Sequence, residues 1–92
     1  MIARMWETRI REGQLDEFCT WTKTTAWPQF LAAPGFGGGE LYRSDTQDRA
    51  VIVTRWATTQ DLAAGNEWFD LGAERFVARE PEAWEFTPVD LA

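Results

Sequence analysis

Four residue types in this chain have the means for chemistry on a small molecule: tryptophan, threonine, arginine and asparagine. Trp6 shares a strand face with Arg4 and Thr8, Trp56 shares its face with Ile52 and Thr54, and Trp21 flanks Thr22 on a helix. Six tryptophans in 92 residues exceed what core packing needs, because leucine and valine fill space without an indole N–H to satisfy. If these faces converge they form an aromatic slot with a few hydroxyls, the lining expected for a flat, hydroxylated ligand. Trp56 would stack on such a ring and donate its N–H to an oxygen, and Arg75 at the mouth would stabilise a phenolate or enolate. Asn66 on an inward stripe needs a partner in backbone, water or ligand, and Phe69 and Phe76 extend the apolar wall. The competing reading is a tryptophan-rich core and dimer seam.

Histidine is absent. There is then no histidine haem ligand, no His-containing zinc site, no Ser-His or Cys-His pair, and no side chain that ordinarily titrates near neutrality. Acid–base work falls to a perturbed carboxylate, to Tyr42, or to the substrate's own acidity. Glu7, Glu40 and Glu85 are the strand carboxylates open to that role. Cys19 is the lone cysteine and lies on an apolar helix stripe, which reads as a buried thiol rather than a nucleophile.

The elements that must position these residues are legible from periodicity. "IARMWETRI" alternates as a strand, and Leu15, Phe18, Cys19, Thr22, Ala26 and Phe30 recur at helical spacing, predicting a helix over about 14–32. Pro28 should kink or restart that helix, and "APGF" ends it. Gly37–Gly39 lead into "ELYRS", "SDTQDR" turns the chain, and "AVIVTRWA" follows as the strongest strand, making a hairpin. Thr58 and Asp61 form an N-capping pattern for a second helix with inward stripe Leu62, Gly65, Asn66, Phe69, Ala73 and Phe76. Trp68 lies off that stripe, partly exposed or in a subunit contact. "AWEFTPVDL" supplies a last strand. The order β-α-β-β-α-β predicts an α+β, ferredoxin-like fold, a four-stranded antiparallel sheet with both helices on one face, in one domain over 1–92. Thr8, Arg9 and Gln14 recur as Thr54, Arg55 and Gln60 at the strand-to-helix joint of each half.

The net charge of −6 and the scattered cations give no footprint for nucleic acid, and no apolar run approaches the ~20 residues that cross a bilayer. The first residues lack the pattern of a signal peptide, so a soluble, cytoplasmic protein is expected. A chain this short leaves much surface uncovered, which favours self-association.

With "APGF" and "RWATTQDL" the chain resembles the antibiotic biosynthesis monooxygenase family, ferredoxin-like proteins that pair sheet to sheet as a dimeric α+β barrel. The resemblance implies a homodimer that oxidises an aromatic or polyketide-like small molecule of phenol, anthrone or hydroquinone type with O2 and no cofactor or metal. The family's strand-end tryptophan falls at Trp56. The asparagine of the anthrone-oxidising members falls at Ile52, their helix tyrosine at Leu62, and their late arginine near Phe76, one residue from Arg75. In the haem-degrading relatives a tryptophan stands where this chain has Gly65. The alternatives are a non-oxidative polyketide cyclase or isomerase using the same pocket, and a non-catalytic small-molecule-binding dimer.

Overall fold

A computed structural model describes residues 1–92. In chain order the elements are β1 (Ile2–Arg9), α1 (Leu15–Trp21), a π-helical segment (Thr22–Ala26), α2 (Trp27–Ala32), β2 (Phe36–Ser44), β3 (Arg49–Trp56), α3 (Thr59–Ala73), a 3-10 turn (Glu74–Phe76) and β4 (Glu82–Phe86). The antiparallel sheet has the order β2-β3-β1-β4, so each half of the chain interleaves its strands with those of the other. β1 and β3 lie at the centre, in register from Ile2↔Trp56 to Arg9↔Arg49.

Strand alternation decides what each face carries. Along β3 every second residue is buried, so Ala50, Ile52, Thr54 and Trp56 meet the helices while Val51, Val53 and Arg55 stand on the other face. β1 likewise buries Trp6 and Thr8. By register, the face away from the helices carries Met5 and Glu7 of β1, Glu40 and Tyr42 of β2, and Trp84 and Phe86 of β4. Tyr42, Trp84 and Phe86 are well exposed there.

The predicted first helix is present but divided. Pro28 has no N–H to offer the carbonyl four residues back, and the turn before it widens until the Trp27 amide donates to the Thr22 carbonyl. The glycines predicted to precede β2 instead belong to it, as an irregularity in register between Phe36 and Gly39. Gly38 adopts φ 98°, and a Cβ on Gly39 would lie 2.0 Å from the Val53 carbonyl oxygen, so the backbones approach where only glycine fits.

α3 follows its sequence pattern closely. The Thr58 hydroxyl accepts from the Asp61 amide at 3.1 Å, and the stripe Leu62, Gly65, Asn66, Phe69 and Ala73 is buried. β4 is shorter than "AWEFTPVDL", ending at Phe86, because Pro88 cannot donate to a ladder. The core is aromatic at its centre: Phe18, Phe30 and Trp56 have no exposed surface, and Trp6, Phe69 and Phe76 almost none.

Candidate functional site

The recurrence of Thr8 at Thr54 shows where the two halves differ. Four polar side chains are buried: Thr8, Thr22, Thr54 and Asn66. Thr8 Oγ1 donates to the Arg79 carbonyl at 3.1 Å, Thr22 Oγ1 to the Phe18 carbonyl at 2.8 Å, and Asn66 Nδ2 to the Leu62 carbonyl at 2.8 Å. Thr54 Oγ1 has no partner, and neither has Trp56 Nε1, two residues along the same strand face. Two hydrogen-bonding atoms are thus buried on the helix-facing side of β3 with no protein partner, an arrangement that costs about 1–3 kcal/mol for a group left unsatisfied.

The aromatic residues predicted to wall an open slot do come together, but they fill the space with one another. Trp6 stacks on Phe18 at 5.8 Å and meets Phe69 edge-on at 5.2 Å. Trp21 lies 5.6 Å from Phe69 and 5.5 Å from Phe76, and Phe30 and Phe36 close on Trp56 at 6.0 and 5.1 Å. The far edge of the Trp56 ring occupies the volume that a side chain at position 65 would take. Trp68 is half-buried, its ring 4.7 Å from Phe30. The principal surface grooves are not lined by Thr54, Trp56, Asn66 or Phe69.

Arg75 does not reach this centre. Its guanidinium is exposed over the Phe76 ring at 4.4 Å, beyond the far end of α3 from the turn against which Trp56 packs. Ten residues separate Gly65 from Arg75, about 15 Å along a helix, too far for one ligand oxygen to touch both Trp56 and Arg75. Asp70, five residues before Arg75, is held by both terminal nitrogens of Arg4 at 2.9 and 3.0 Å.

A groove of about 460 Å³ lies between the π-helical segment and β2, lined by Cys19, Thr22, Lys23, Trp27, Gly39, Glu40, Leu41 and Arg43, and a second, of about 410 Å³, reaches Gly65, against which the Trp56 ring packs. Gly39 stands opposite Thr54 in the β2–β3 register, so the groove floor adjoins the buried hydroxyl. Trp27 roofs the inner end, edge-on to Phe30 and Phe36, the two rings that enclose Trp56. Of the lining residues, Thr22 is among the ligand-contacting residues predicted from sequence, and Glu40 among the strand carboxylates open to the role of base. The signals that locate the groove were Pro28, which widens the helix, and the glycine run, which bends the strand.

Arg43 spans the groove's outer edge. It pairs with Asp45 and with Asp16 at 2.9 Å, and its Nη1 donates to Cys19 Sγ at 3.8 Å. Burial pushes the Cys19 thiol up despite the guanidinium, so it stays protonated at neutral pH and its sulfur is a weak acceptor rather than a nucleophile.

The strand carboxylates are turned away from the buried centre or engaged elsewhere, Glu40 included although it borders the groove. Glu7 pairs with Arg49 at 2.6 Å, and Glu40 forms a bidentate pair with Arg55 at 2.7 and 2.8 Å, both on the sheet face away from the helices. Glu85 is exposed on β4. The Arg55 hydrogen bonds hold Glu40 below the usual carboxylate range, which disqualifies it as a base. A depressed folded-state value contributes stability that is complete above the ordinary glutamate value of 4.5 and is lost as pH falls from there through the lowered value. The Tm deficit of Glu40→Gln at neutral pH is therefore expected to shrink as pH falls below 4.5, read by thermal denaturation across pH. No group of three or more His, Cys, Asp and Glu side chains is placed to hold a metal ion, and no helix is long and apolar enough to cross a membrane.

No family model and no curated protein sequence matches the chain. Solved structures do. SnoaB, a cofactor-independent oxygenase from Streptomyces nogalater, superposes with TM-score 0.79 at 16% identity, covering 97% of this chain and 93% of its own. The monooxygenase from ActVA-Orf6 of Streptomyces coelicolor, solved with nanaomycin D, gives 0.76 at 13% identity, with coverages of 99% and 89%. A protein from Bordetella bronchiseptica described as a candidate antibiotic biosynthesis monooxygenase gives 0.77 at 26% identity, with 96% of each chain covered. Along almost its whole length the chain has the fold of the antibiotic biosynthesis monooxygenase proteins, the family it also resembles at "APGF" and "RWATTQDL".

Proposed function

We propose that this chain is a cofactor-independent monooxygenase of an aromatic or polyketide-like small molecule of phenol, anthrone or hydroquinone type. The observation that carries the reading is the pair of buried, unpartnered polar atoms, Thr54 Oγ1 and Trp56 Nε1, with Gly39, the strand partner of Thr54, lining a groove of about 460 Å³. Each is a hydrogen-bond donor, and in a low-dielectric site a bond from such a donor to a ligand oxygen strengthens as that oxygen gains negative charge. The substrate itself is the reductant. Loss of a proton from an activated ring carbon leaves an anion that passes one electron to O2. The two radicals combine into a C–O bond, the peroxide takes a proton, and loss of water leaves a carbonyl, so that CH2 and O2 become C=O and H2O. The protein's part is to orient the ring, exclude water and stabilise the anion.

The dimer belongs to the same proposal. Tyr42, Trp84 and Phe86 are exposed on the sheet face away from the helices, which a second sheet would cover. Light scattering is expected to give twice the chain mass of 10.6 kDa, and Trp84→Glu with Phe86→Glu to give the monomer.

The closed core favours a second reading, binding without catalysis, since no groove opens onto Trp56. Oxygen consumption by the purified protein over a panel of anthrones and hydroquinones, without added cofactor, separates the readings. Protein-dependent uptake supports the oxygenase, and conversion that persists under nitrogen supports a cyclase or isomerase. Ligand binding without conversion supports the binding module.

A further inference from the structure

We infer that the groove between the π-helical segment and β2 selects an acidic aromatic ligand, a flat ring system bearing a carboxylate, with Lys23 as the counter-ion and Trp27 as the ring platform. This rests on the reading of that groove as the ligand's entrance and goes beyond it by naming the ligand's charge.

Lys23 is the only lysine in a chain of net charge −6. It lines the groove, is exposed and forms no ion pair. Every other charge on the lining is paired, and the Arg43 cluster with its two carboxylates keeps a net charge of −1. Arg43 is held by Asp16 and Asp45, and the Glu40 carboxylate is turned to Arg55 on the opposite face of the sheet. Cys19 is an uncharged thiol, its value raised by burial. The one unpaired cation on the lining is thus the Lys23 ammonium, on a protein of net charge −6.

The apolar part of the groove has the shape for a ring. Cys19, Lys23 and Trp27 follow at four-residue spacing along the helical wall, so the ammonium stands between the thiol and the indole. Trp27 is fixed by edge-on contacts with Phe30 and Phe36 at 5.7 and 5.6 Å. On the strand wall Leu41 is apolar and Gly39 has no side chain, leaving room for a flat body between strand and indole. An acid group on that body then lies toward Lys23 at the mouth, while its inner edge points to the floor beside Thr54.

The test uses 2-naphthoate and its neutral isostere 2-naphthamide, with binding followed by NMR shifts of the Trp27 indole N–H and the Gly39 amide. The protein is expected to bind 2-naphthoate about fivefold more tightly than 2-naphthamide, the size of one partly exposed ion pair. Lys23→Gln should abolish that preference by weakening the acid alone, and Lys23→Arg should keep it. Equal affinity for the two probes, an unchanged preference in Lys23→Gln, or equal weakening of both overturns the charge assignment while leaving the groove as a ligand site. Absence of shifts at Trp27 and Gly39 with either probe overturns both the assignment and the reading of the groove on which it rests.

Discussion

Gly65→Ala is expected to destabilise the protein by about 3 kcal/mol, against the ordinary gain of about 1 kcal/mol when a helix-interior glycine becomes alanine. The reversal comes from one contact. A Cβ at position 65 would lie 2.0 Å from Cη2 of Trp56, 2.5 Å from Cζ3 and 2.8 Å from Cζ2. Trp56 has no exposed surface and is enclosed by Phe30 and Phe36, so its ring cannot withdraw without displacing both. For a chain of this size the loss is a fall in Tm of more than about 10 °C, measured by thermal circular dichroism. In a Trp56→Leu background, where the ring is gone, the same substitution should become neutral or stabilising. A rise in Tm for Gly65→Ala alone would show that the Trp56 ring is free to move. Gly72 supplies the control: its Cβ would lie 2.8 Å from Trp21, but that indole is half-exposed and can give way, so Gly72→Ala should cost much less.

Thr54→Val should raise stability by about 1 kcal/mol while lowering turnover, or ligand affinity where there is no turnover, about tenfold. The hydroxyl has no partner, so valine removes a desolvated polar group and leaves a methyl of similar size. The same change at Thr22 or Thr8 removes a hydrogen bond to the Phe18 or Arg79 carbonyl and should instead destabilise by about 1 kcal/mol. Trp56→Phe, which keeps a ring and deletes the N–H, should lower turnover in the same direction. Gain of stability with loss of function marks a group kept for a ligand rather than for the fold. If Thr54→Val were less stable than the parent and fully active, the hydroxyl would be serving structure alone.

The chain's own periodicities determine most of the architecture. Alternation in "IARMWETR" and "RAVIVTRW" sets which side chains face the helices, because strand geometry sends successive residues to opposite faces whatever lies beyond. The Thr58 cap and the stripe from Leu62 to Ala73 are equally local, set by hydrogen bonds and spacing within a few residues. The β-α-β-β-α-β order, and with it the family resemblance at "APGF" and "RWATTQDL", follow from these. What no local pattern carries is whether inward aromatic side chains leave a space or use it up. That depends on summed volumes from four strands and three helices, decided here by Gly65 admitting the Trp56 ring, and by Phe30 and Phe36 closing around it. Tertiary placement likewise carried Arg75 to the far end of α3 from Trp56, paired Glu7 with Arg49 and Glu40 with Arg55, and built the groove from a widened helical turn and an irregular strand. It also left Thr54 without the partner that Thr8 finds, since a hydrogen bond between distant segments depends on where the second segment passes.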